Sequence, residues 1–161
     1  ANTDPAGNAV EAWIVGREGL AGIPVVLGVD TSPHRRTVQA EGQAWRMSAA
    51  DLRLSMDEMP ALRTVLLAYV NAVLIQAGQS AACNARHAIE QRLARWLLMA
   101  HDRLADDDLP LTHEVIAKML GVRRASVTSA LRPLERAGVI EVHRGRIRML
   151  DRPTLEASAC A

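Results

Sequence analysis

The chain of 161 residues is 49% apolar and 23% charged, with a formal net charge of +1, which excludes a disordered tail and suits one or two small globular domains with a real core. Its two cysteines, Cys83 and Cys160, match neither a disulfide framework nor a zinc-ligand spacing and are too few for a four-cysteine iron–sulfur cluster; a reducing, cytoplasmic setting is expected. No signal peptide opens the chain, and its first residue is Ala rather than Met, the start expected of a processed or truncated product.

The charge is unevenly distributed. Residues 1–110 hold 10 Lys/Arg against 13 Asp/Glu, whereas residues 111–153 hold 9 against 4. A basic module beside an acidic one points to a polyanionic partner for the basic one, the alternative being a solvated charged face.

In chain order, "AVEAWIV" at 9–15 alternates and predicts a strand, and "EGLAGIPVVLG" is a short helical or irregular segment around Pro24. "RTVQAEGQAWRMS" predicts two short strands meeting at Glu41-Gly42, and Ser48 is a favoured cap for a helix through "SAADLRL". Four or so strands bury too little to stand without another element.

From Pro60 the pattern is helical, with Leu62, Val65, Leu66, Tyr69, Val70, Val73 and Leu74 covering more than one face. So broad an apolar surface needs two neighbours, its own β-module and a second copy. Leu62, Leu66, Tyr69, Val73 and Gln76 are the expected dimer seam. No membrane span is expected, because Asn71, Gln76, Gly78, Gln79, Ser80 and Asn84 crowd the second half of the charge-free interval 64–85. A second helix carries Ile89, Leu93, Trp96, Leu97, Ala100 and Leu104 on one stripe, and "ADDDLP" reads as a solvated linker.

Thr112 can cap a short helix over "HEVIAKML"; Leu120-Gly121-Val122 makes a tight turn; a second helix runs from about Arg123 to Ala137, where Gly138 stops it. This is helix-turn-helix geometry. At 100° per residue Val127, Ala130, Leu131, Leu134 and Ala137 share the inner face, while Arg124, Ala125, Thr128, Ser129, Arg132 and Arg136 share the outer one. Cations at a helix N-terminus each cost about 0.3–1 kcal/mol, so helix stability does not account for Arg123 and Arg124. In a major groove such arginines donate to guanine, and Ser or Thr reach a base or phosphate. Pro133 predicts a bend near 129–133. "VIEVHRGRIRML" predicts a β-hairpin turning at Arg144-Gly145, with Ile140, Val142, Ile147 and Met149 inward and Arg144, Arg146 and Arg148 free for phosphates. The expected DNA-contacting set is Arg123, Arg124, Ala125, Ser126, Thr128, Ser129, Arg132, Arg144 and Arg146. The alternative is a protein-interaction module with a vestigial helix-turn-helix.

On these residues, above all "LTHEVIAKMLGVRRASVTSALRPLERAGVIEVHRGRIRML", the chain resembles the Crp/Fnr family of bacterial transcription regulators. The resemblance implies an α+β chain: a partial β-roll sensor remnant, a long dimerisation helix (about 57–83), a hinge at Asn84 and a C-terminal winged helix-turn-helix, with domains at 1–83 and 84–161. It further implies a homodimer on double-stranded DNA at an inverted repeat, with RNA polymerase as a further partner. In that family an Arg at the place of Arg124 and the residues at the places of Ala125 and Ser129 contact bases; the best-known members carry Glu and Arg at the latter two, so their operator does not transfer. The family's first roll strands have no counterpart before residue 9. Its cyclic-nucleotide binders carry Gly-Glu for the ribose, where this chain has Gly22-Ile23, and the phosphate loop here reads "SPHRRT". An Ile side chain accepts no hydrogen bond, so no cyclic-nucleotide cofactor is expected, although Arg35 or Arg36 could hold an anion. "HEVIA" lacks the second His of a zinc-protease helix, Ala117 standing in its place, and Cys83 and His87, one turn apart, supply two ligands where a structural site wants four. No catalytic residue, cofactor or metal is expected.

Overall fold

The computed structural model describes residues 2–3, 9–10, 13–32, 36–104 and 106–160. Two short strands, β1 (Asn2–Thr3) and β2 (Ala9–Val10), pair antiparallel. The strand expected over 9–15 is therefore confined to β2 among the described residues; 11–12 lie outside them. Residues 13–15 form no strand, because the Ile14 carbonyl accepts from Arg103 Nε at 3.2 Å and its side chain packs on the C-terminal core.

The helical segment around Pro24 is α1 (Ile23–Val26), with proline in its first turn, where a missing N–H costs nothing. The two strands expected in "RTVQAEGQAWRMS" do not form: residues 36–47 are irregular, and Val38 and Trp45 project into solvent. Alternation makes a strand only where a neighbour takes up its ladder and a core takes up its apolar side; none lies alongside among the described residues. Helix α2 (Ala49–Glu58) starts as expected, with Ser48 Oγ accepting from the Asp51 N–H at 3.1 Å. Val26, Met56 and Val70 form a small core with Leu20, Ile23, Leu52 and Leu66 around it.

Helix α3 (Pro60–Arg86) supplies Val70 to that core. Instead of breaking at Asn84 it runs two residues further, and Asn84 Oδ1 accepts from Arg92 Nε at 2.9 Å. The expected seam residues lie on its inward side: Val73 is buried, Leu62, Leu66, Tyr69 and Gln76 are half-buried, and the Tyr69 hydroxyl donates to the Leu20 carbonyl at 3.4 Å. The spacing that unites those five also turns them together toward their own chain. The open apolar side carries Val65, Leu67, Leu74 and Ile75 instead. By length and composition alone α3 could cross a membrane.

The C-terminal half is built around one core. Helix α4 (Ile89–His101) contributes Leu93, Trp96, Leu97 and Ala100; then follow β3 (Asp108–Leu109), α5 (His113–Leu120), α6 (Arg124–Arg136), β4 (Ile140–His143), β5 (Arg146–Met149) and α7 (Arg152–Ser158). The sheet order is β3-β5-β4, antiparallel throughout. The acidic "ADDDLP" segment is thus no mere linker. It ends in β3, with Leu109 fully buried and paired with Ile147. Helix α7 lies beyond the elements expected from sequence; it buries Leu155 and is fastened to the end of α4 by Arg152, 2.8 Å from Asp102 and 2.7 Å from Glu156.

Candidate nucleic-acid interface

Thr112 caps α5 as expected, its Oγ1 accepting from the Val115 N–H at 3.2 Å. Helix α5 ends on Gly121, whose φ of +64° lies in the left-handed region glycine enters without a Cβ clash. The chain therefore turns sharply, and Arg123 becomes the N-cap of α6, making no side-chain capping bond. Arg124 is the first helical residue, and no acid stands in that first turn. Two cations thus flank the positive end of a helix with no local carboxylate to offset them.

The two faces of α6 separate largely as expected. Val127, Ala130 and Leu131 are buried and Leu134 half-buried, whereas Ala137, expected inside, is exposed because it lies past the last helical turn. Outward lie Arg123, Arg124, Ala125, Ser129, Arg132 and Arg136, all exposed; Ser126 and Thr128 are half-buried on the flanks. Helix α6 passes through Pro133 as one element. The carbonyl that loses its partner there belongs to Ser129, on the exposed side where water can satisfy it.

The hairpin has the expected facing. Ile140, Ile147 and Met149 are buried and Val142 half-buried, while Arg144, Arg146 and Arg148 are exposed. Gly145, at φ +82°, closes the two-residue turn between β4 and β5. The wing tip and the start of α6 border one groove, lined among others by the cap Thr112, by His113 and Glu114 of α5, by Arg124 of α6, and by Arg144 and Gly145 of the wing; Glu114, its one carboxylate, pairs with Lys118 at 3.6 Å. Among the described residues, Arg123, Arg124, Arg132, Arg144 and Arg146 form no ion pair with an acid. Arg103, Arg53 and Arg152 by contrast each hold a carboxylate.

His113 is a component that sequence reasoning weighed only as a metal ligand. Its Nδ1 lies 3.0 Å from Thr128 Oγ1, joining the two helices of the motif. Burial, and then the neighbouring Arg124 guanidinium, hold its pKa below the ordinary histidine value, with Glu135 acting weakly the other way. The signal available in sequence was its place directly after the capping Thr112. On the sensor side, Arg35 lies outside the described residues, and Arg36 sits over the Trp13 ring at 5.5 Å and reaches the Ala21 carbonyl at 3.4 Å.

Residues 91–158 match the Crp-like helix-turn-helix domain family. No curated protein matches the chain by sequence. Among solved structures, FixK2 from Bradyrhizobium japonicum is 22% identical with a TM-score of 0.63, over 70% of this chain and 59% of its own. A CRP/FNR-family transcriptional regulator from Thermus thermophilus is 26% identical with a TM-score of 0.58, over 63% of this chain and 55% of its own. A CooA variant from Carboxydothermus hydrogenoformans is 23% identical with a TM-score of 0.56, over 68% of this chain and 55% of its own. The chain thus spans between half and three-fifths of the length of these relatives.

Proposed function

From the Crp-like helix-turn-helix domain over residues 91–158 and the fold shared with CRP/FNR-family regulators, we propose that the chain is a Crp/Fnr-family, sequence-specific, DNA-binding transcription regulator acting as a homodimer on an inverted repeat in the cytoplasm. The observation that carries this reading is the groove shared by Arg124 at the first turn of α6 and Arg144 at the wing tip, both exposed and without an acidic partner among the described residues. Cations held there against the helix dipole gain most from an external polyanion.

In this reading α6 enters the major groove. Arg124, Ala125 and Ser129 face base edges, Arg123, Ser126, Thr128 and Arg132 meet bases or phosphates at its margins, and Arg144 and Arg146 hold the backbone and set register. Residues 1–83 form a partial sensor unit with the dimerisation helix, and 84–161 the DNA-binding unit. The dimer forms through the open side of α3, where Val65 and Leu74 are each 65% exposed and Ile75 64%. A second copy covers that side and removes the need for a lipid phase. RNA polymerase is the further partner this architecture serves.

The test is binding of the purified chain to duplex DNA across a salt series. The reading requires log affinity to fall linearly with log salt, because each arginine–phosphate contact releases counterions. A protein-docking module would bind no duplex, or bind with no such slope.

A further inference from the structure

The fold brings together three side chains that sequence spacing keeps apart. Cys83 stands in the last turn of α3, His87 is the residue that ends that helix, and Cys160 follows α7. Both thiols are buried, at 2% and 6% exposure, and their sulfurs and a ring nitrogen of His87 all lie within 4.8 Å of one another. Cys83 and His87 alone offer two ligands one helical turn apart, short of a site. The tail after α7, an element the sequence did not announce, supplies the third.

The arrangement leaves a polar group unaccounted for. Among the described residues, Nδ1 of His87 is buried and has no hydrogen-bond partner. A buried donor or acceptor left unsatisfied keeps its full desolvation penalty, and a disulfide between the two cysteines would leave it unsatisfied still. A cation coordinated by both sulfurs and the imidazole would use all three groups at once.

We propose that Cys83, His87 and Cys160 form a binding site for a borderline-soft divalent cation of the zinc class. Two thiolates and one neutral imidazole suit Zn2+, and ligand atoms on a tetrahedral zinc stand about 3.8 Å apart at most, so only a small contraction of the cluster is needed. Two thiolates neutralise the ion's charge, which a buried site requires. Burial and the adjoining Cys83 push the Cys160 thiol up to about 11, with Arg95 pulling it down; binding displaces its proton. Three protein ligands leave the fourth position open to water or to an exogenous ligand, as in exchangeable sites. The cation would fasten the C-terminal tail to the junction between α3 and α4, where residues 87–88 connect the helix that carries the open apolar face to the helix-turn-helix unit. The site lies apart from the arginine groove and does not depend on that groove's function.

The test uses the reduced full chain and Co2+ as a spectroscopic substitute for Zn2+. The proposal expects one ion per chain, a thiolate-to-metal charge-transfer band, and at least tenfold weaker binding in both Cys160→Ser and His87→Gln with unchanged circular dichroism. In the unmodified chain, Zn2+ should also protect Cys83 and Cys160 from N-ethylmaleimide, a readout that survives if a variant fails to fold. No retained ion, an ion without thiolate charge transfer, or thiols alkylated at the same rate with and without Zn2+ would overturn it.

Discussion

His113 Nδ1 and Thr128 Oγ1 stand 3.0 Å apart and join the first turn of α5 to the middle of α6. The Thr128 hydroxyl donates to the Arg124 carbonyl at 3.2 Å, which leaves its oxygen to accept from the imidazole. One hydroxyl thus couples the groove's histidine to the helical turn that presents Arg124. The angle between the two helices sets how α6 is offered to a groove, so this contact bears on presentation as well as stability.

The lowered pKa of His113 makes stability depend on pH in a defined direction. A histidine whose folded pKa is below its unfolded value binds fewer protons when folded, so its contribution is fully present above the ordinary value of 6.5 and is lost as pH falls through the folded pKa. Thermal unfolding followed at about pH 7.5 and at about pH 5 should therefore show a smaller acid-induced loss in His113→Gln than in the parent chain. Equal losses would remove His113 from the account.

Arg124→Ala is expected to weaken binding to a selected site by about 1–3 kcal/mol and to relax preference at one base pair, as loss of a bidentate contact does. Arg144→Ala should weaken all duplexes alike and flatten the salt slope by about one unit. Fluorescence anisotropy on specific and random duplexes separates the two; equal effects of both variants on both duplexes would refute the division of roles.

On α3, adjacent residues predict opposite behaviour. Leu74 is 65% exposed and Val73 buried, so Leu74→Asp should yield folded monomers, whereas Val73→Asp should lower the melting temperature before it alters assembly. Sedimentation and thermal unfolding of the pair check this. A dimeric Leu74→Asp chain would place the interface elsewhere.

Ile23 packs against the small core of Val26, Met56 and Val70, in the place where the resemblance puts a ribose-binding carboxylate. Cyclic AMP is accordingly expected to leave DNA affinity unchanged, since a ligand shifts an equilibrium only by its differential affinity. Stoichiometric, micromolar binding by calorimetry would contradict this.

The helix-turn-helix was legible in sequence because its signals are local. The Thr112 cap, the left-handed Gly121 and the period of Val127, Ala130 and Leu131 each act within a few residues. What escaped was set by distant partners. Asp108 and Leu109 become a strand only because β5 offers them an edge, and Cys160 joins Cys83 only after α7 has docked on α4. The strands expected in 36–47 fail for the same reason in reverse: their alternation meets no neighbouring ladder among the described residues. On α3 the period itself was readable, but which side faces home was not, because that depends on where α1 and α2 lie.

The central claim is tested most directly by selecting bound sequences from a random duplex pool with the purified chain. The account predicts enrichment of an inverted repeat whose half-sites are centred about one helical turn, or roughly 34 Å, apart, since two α6 helices related by a twofold axis must enter successive major grooves. A pool that stays random after repeated rounds, or that enriches a motif with no inverted repeat, would contradict it.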